Sequence, residues 1–107
     1  MISVIKDCKK LVRNTNNFVR VDTKFFSNNY YDTEIFSVNF GGNEVFSLQV
    51  ESDSVGTDYK LSYDNDYYMP KGWYQTVKMK NLRRLLKRKA EKQKKMVARN
   101  LVPYVGR

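Results

Sequence analysis

Four aspartates, Asp53, Asp58, Asp64 and Asp66, crowd a short span, and Asp58-Tyr59-Lys60 has the Asp-x-Lys spacing of some metal-dependent nucleases. Such enzymes need carboxylates that converge on Mg²⁺. The weaker demand of turn chemistry accounts for most of them separately, because Asp bonds readily to its own backbone in turns. Little other catalytic chemistry is on offer. The 107 residues contain no histidine and one cysteine, Cys8. That removes His-based proton transfer, Ser-His-Asp and Cys-His nucleophiles, and nearly every zinc site. Gly41-Gly42 is a lone pair with no following Lys-Ser/Thr, so it is not a phosphate loop. The expectation is a protein that is not an enzyme and carries no cofactor, with a metal-dependent nuclease as the remote alternative.

The other chemistry is charge. Residues 81–100, NLRRLLKRKAEKQKKMVARN, hold nine Lys and Arg against one acid, Glu91. A solvated helix usually mixes signs at i,i+4, whereas like charges there cost roughly 0.2–0.5 kcal/mol per pair. The chain as a whole carries +9, made of −3 over residues 1–70 and +12 over residues 71–107. An end so polarised suits a polyanion, and nucleic acid is the commonest one. The candidate contacts are Lys80, Arg83, Arg84, Lys87, Arg88, Lys92, Lys94, Lys95 and Arg99. Lysine outnumbers arginine, which favours phosphate-backbone contact, on RNA or DNA, over base readout. Tyr67, Tyr68 and Tyr74 flank the run and are candidates for stacking on unpaired bases. Trp73 is expected instead to cover the end of a sheet.

These residues need elements to hold them. Ile5, Cys8, Leu11 and Val12 recur at helical spacing, giving one short N-terminal helix that the polar cluster 14–17 should end. Four segments then alternate with period two: 18–26, 34–40, 44–50 and 57–63. Their apolar faces are Val19, Val21, Thr23 and Phe25; Phe36, Val38 and Phe40; Phe46, Leu48 and Val50; and Tyr59, Leu61 and Tyr63. This is the pattern of an antiparallel sheet with one dry face. A loop of Gly41, Gly42 and Asn43 would pair Val38 with Phe46 and Phe36 with Leu48, keeping the apolar sets together. Gly42 and Asn43 would take the positive φ. Residues 64–73 read as a connection, and 74–80 as either a fifth strand or the first turns of a helix.

From Asn81, a candidate N-cap, Leu82, Leu85, Leu86, Ala90, Met96 and Val97 form a stripe, and Pro103 should end the helix. The tail LVPYVGR is apolar enough to dock on the body or on a partner. The expected fold is α+β: an N-terminal helix, a four-stranded antiparallel sheet with 74–80 as a candidate fifth strand, and a long basic C-terminal helix. Residues 1–107 form one domain of that size, with 1–72 the helix and sheet and 73–107 the basic helix and docked tail. The element order resembles that of double-stranded-RNA-binding domains. Their glycine, proline and histidine landmarks are absent, so no residue is carried over.

No apolar run approaches a membrane span, and the opening MISVIKDCKK meets charge too soon for a secretory signal. The apolar stripe of this helix is interrupted by Lys89 and Gln93 and lacks aromatics, which argues against a membrane-surface helix. A single cysteine fits a reducing, cytoplasmic setting. Abundant Lys, Asn, Tyr, Phe and Ile suggests an AT-rich genome. The leading expectation is a small nucleic-acid-binding protein. The alternative is an interaction, inhibitor or assembly subunit, phage-encoded or associated with a ribosome or virion, whose basic helix enters an acidic groove on a larger complex.

Overall fold

The computed structural model describes the backbone of residues 2–13 and 18–105, and side chains over 3–13 and 18–96. Its elements are α1 (Ile2–Arg13), β1 (Val19–Ser27), β2 (Tyr31–Phe40), β3 (Asn43–Asp53), β4 (Thr57–Tyr63), β5 (Asp66–Tyr68) and α2 (Trp73–Val105). The fold is α+β. Five antiparallel strands lie in chain order, β1-β2-β3-β4-β5, so each strand pairs with the next through a short turn. The polar cluster expected to end α1 lies at 14–17, outside the described residues.

The helices share one face of the sheet. Ile5, Cys8 and Val12 of α1 and Met79, Leu82, Leu86 and Ala90 of α2 are buried in the same cluster as Val38, Phe46, Leu48, Val50 and Leu61. Among the described residues no element covers the other face. The alternation in the sequence therefore has its cause: one face of each strand meets the helices and the other meets water. Burial of Cys8 pushes its thiol up to about 12, with Asp7 adding to the shift. It is a core side chain rather than a nucleophile.

The β2–β3 register places Val38 opposite Phe46 and Phe36 opposite Leu48, as the parity of the apolar residues requires. The turn that produces it differs from the expected three-residue loop. Only Gly41 and Gly42 form the turn, with φ of +60° and +88°, while Asn43 already pairs with Phe40. Both turn positions need a left-handed conformation, which glycine adopts without a Cβ penalty. A register shift between Val38 and Asn39 then leaves Val45 as an extra residue, and this bulge restores the parity that a two-residue turn would lose.

The last helix starts eight residues earlier than its N-cap candidate. Asn81 is interior, and the segment 74–80 is helical rather than a fifth strand. The fifth strand is instead Asp66–Tyr68, inside the expected connection and joined to β4 through Asp64 and Asn65, both at positive φ. The Gly72 carbonyl accepts the Thr76 N–H at 3.2 Å and its hydroxyl at 3.1 Å, closing the first turn. The helix also runs past Pro103 to Val105 instead of stopping there. A proline so near the end forfeits one bond, to the carbonyl four residues back, and leaves only two residues beyond it. The expected tail is thus continuous with the helix backbone, and its side chains lie outside the described residues. At 33 residues the helix is about 50 Å long, close to the molecule's longest dimension of 53 Å.

Candidate nucleic-acid interface

One turn of α2 in every 3.6 residues sets its burial. Met79, Leu82, Leu86 and Ala90 point into the core, and Leu85 is half-buried. The opposite arc carries Lys80, Arg84, Lys87, Arg88, Lys92, Lys94 and Lys95, all exposed. These span 16 residues, or about 22 Å of helix axis, and Glu91 is the one acid among them. Met96, expected in the apolar stripe, is exposed. Val97 and Arg99 have side chains outside the described residues.

Arg83 is placed differently from its neighbours. Its Nε and Nη2 both donate to Oε1 of Glu34 on β2, at 2.9 and 2.6 Å, and both side chains are largely covered. This guanidinium is committed to holding helix to sheet, a role that burial and a partner 49 residues away hid from the sequence. Gln93, which interrupts the basic and apolar stripes alike, has a similar job. Its Oε1 accepts the Val21 N–H at 3.0 Å and its Nε2 donates to the Val19 carbonyl at 2.9 Å. The side chain thereby occupies the outer edge of β1 as a neighbouring strand would.

The cations do not end with α2. Residues 2–13 hold Lys6, Lys9, Lys10 and Arg13 against Asp7, a net of +3. A groove of about 480 Å³ lies between α1 and α2, with Arg13, Arg88, Lys92 and Lys95 on its walls and Glu91 the one acid among them. The Lys9 ammonium is held below its ordinary pKa, first by burial and then by repulsion from Lys78 and Arg13. Lys9, Lys78 and Arg13 are thus near enough to one another for their charges to be felt. An anion in the groove would relieve that repulsion.

The stacking candidates separate. Tyr68 is half-buried against the core. Tyr67 is exposed on β5, with the Lys60 ammonium 4.2 Å from its ring centroid. Tyr74 is exposed and meets Trp73 edge-to-face, with centroids 5.8 Å apart. Trp73 does not cover the sheet's end: it is 76% exposed. Both rings stand at the N-terminus of α2, ahead of the basic arc.

The aspartates do not converge. Asp53 caps the β3–β4 turn, accepting the backbone N–H groups of Val55 and Gly56 at 2.8 and 2.9 Å. Those bonds, Gly56 first, hold its carboxyl below the ordinary range. Asp58 lies near this end of β4, whereas Asp64 and Asp66 lie across the next turn, about 20 Å away along the strand. Among the described residues no group of three or more His, Cys, Asp or Glu could hold a metal ion. A hollow of about 530 Å³ beside Glu44, Phe46 and Asp64 lies on the sheet, with no residue of the basic arc in its lining. No helix among the described residues is long and apolar enough to cross a membrane.

No protein-family model matches the chain, and no curated protein or solved structure matches it either.

Proposed function

We propose that this chain is a non-catalytic nucleic-acid-binding module whose α2 lies along a phosphate backbone. The observation that carries this reading is the arc of seven exposed cations from Lys80 to Lys95, interrupted only by Glu91. Structural roles explain Arg83 and Gln93 but none of these seven. Lys9, near Lys78, and Arg13, on the groove wall with Arg88, Lys92 and Lys95, widen this basic surface onto α1. Trp73 and Tyr74 sit where the arc begins and can stack on unpaired bases, a contact worth about 1–3 kcal/mol per base. Binding is mainly electrostatic, so it tolerates sequence and weakens with salt.

The experiment is a binding titration at low salt against single- and double-stranded DNA and RNA. The expected result is measurable affinity for at least one of them, reduced when Arg84, Lys87, Arg88 and Lys92 become Gln. Arg83 is left out of that set because its loss would weaken the fold itself. Absence of affinity for all four would overturn the proposal. The basic arc would then be better matched to an acidic groove on a protein assembly, which a nuclease-resistant pull-down would detect.

A further inference from the structure

The β1 strand is an edge of the sheet, and only half of it is guarded. The Val21 N–H and Val19 carbonyl turn away from β2 and are taken by Gln93. Backbone direction alternates along a strand, so the N–H and C=O groups of Thr23, Phe25 and Ser27 turn outward too. Gln93 does not reach them. The segment pairs with β2 without a register shift, lacks proline, and carries Phe25 and Phe26 at 63% and 58% exposure. Proline and bulges, which blunt many natural edges, are missing here, and Lys24 is the one charge in the segment.

We propose that this chain pairs with a second copy of itself through residues Thr23–Ser27, antiparallel about a two-fold axis at Phe25. The segment complements itself in that register. Phe25 faces Phe25 of the second copy, each exchanging both backbone bonds. Thr23 faces Ser27, so the small polar side chains meet each other rather than a ring. On the other face Lys24 comes opposite the Phe26 ring, a cation–π pairing made twice. The guarded half of each β1 falls outside the paired segment, so Gln93 need not let go. From its clamp at Val19 and Val21, α2 leaves the sheet carrying Lys94 and Lys95 toward the second copy's β1–β2 turn. Asp32 and the 82%-exposed Tyr30 stand there, an acidic and aromatic surface for cations to meet. Two-fold pairing of this kind is the commonest closed symmetry among homo-oligomers. It joins the two sheets into one of ten strands with all four helices on a single face, and so sets both basic arcs on the same side. The dimer does not depend on what those arcs bind.

Sedimentation or light scattering over a concentration series tests it, alongside two cysteine variants. In the proposed register the Phe25 Cα atoms are about 5.5 Å apart, within disulfide range, while the two Thr23 Cα atoms are roughly 14 Å apart. Phe25→Cys should therefore crosslink to itself under mild oxidation, and Thr23→Cys should not. Cys8 is fully buried and supplies no background. Phe25→Pro should abolish the dimer and leave the fold, since its N–H points away from the sheet. Phe25→Lys checks the same point without a proline. A protein that stays monomeric up to about 0.1 mM, weaker than roughly −5.5 kcal/mol of association, would overturn the proposal. So would a dimer that survives both Phe25→Pro and Phe25→Lys, or one in which Thr23→Cys crosslinks and Phe25→Cys does not.

Discussion

The helices and the sheet carry opposite charge. Residues 18–72, the sheet with its turns, hold four basic and nine acidic side chains, a net of −5. The two helices, 2–13 and 73–105, hold fifteen basic and two acidic, a net of +13. Division of the chain at residue 70 hides part of this, because it adds α1 to the acidic half. The charge is segregated by layer, not by sequence position. The difference teaches which residues serve the fold: where a helix cation is needed structurally, as with Arg83, the sheet supplies an acid, Glu34. The exposed arc from Lys80 to Lys95 has one acid, Glu91, and Gln93 at the edge clamp is uncharged.

The largest effect should come from the covered face of the sheet. Phe46 is fully buried between β3 and the helices, so Phe46→Ala should cost about 3–5 kcal/mol in urea or thermal unfolding. Gln49, on the open face of the same strand, should change stability by about 0.5 kcal/mol or less when made Ala. Equal losses would contradict the two-faced sheet. Next, Arg83→Gln should destabilise by about 1–2 kcal/mol, through loss of charge-assisted bonds to a largely covered carboxylate. The neighbouring Arg84→Gln should leave stability within about 0.5 kcal/mol. Denaturation midpoints of the two variants check this directly. Gln93→Ala should cost about 1 kcal/mol, and hydrogen exchange should quicken at Val21, whose N–H it holds.

The smallest effect is a pH dependence at the β3–β4 turn. Asp53 has its pKa lowered in the fold by the Gly56 and Val55 amides. A lowered carboxyl pKa contributes stability that is present above the unfolded value and is lost as pH falls through the folded one. Thermal melts should therefore show Asp53→Asn converging on the wild type only at acid pH below the ordinary Asp range. A gap that persists unchanged there would contradict the capping role.

The parts of this fold that were legible from sequence are those set by local alternation. Phe36, Val38, Phe46 and Leu48 had to share a face, which fixed the β2–β3 register even though the turn supplying it was misjudged by one residue. The bulge at Val45 and the turn at Gly41-Gly42 trade one residue for another, and parity cannot tell them apart. The start of α2 was obscured by Trp73-Tyr74-Gln75-Thr76-Val77, where aromatic and β-branched residues favour strands, and packing of Met79 and Leu82 overrides that preference. The strand Asp66–Tyr68 is too short to show a period. The basic arc was visible because charge needs no partner to be counted. Glu34 and the Val19–Val21 edge were invisible as partners because they lie 49 and more than 70 residues from the side chains that use them.

The central claim is that the helix layer, and not the sheet, meets a polyanion. The most direct measurement is the salt dependence of nucleic-acid affinity in two sets of charge variants. If five or six phosphates are neutralised, log K should fall against log[salt] with a slope of about −4 to −5. Arg84, Lys87, Arg88 and Lys92 changed to Gln should flatten that slope by about 3. Arg20, Lys24 and Lys60 changed to Gln on the sheet should leave it within about 0.5. A slope that flattens equally in both sets, or only in the sheet set, would contradict the account.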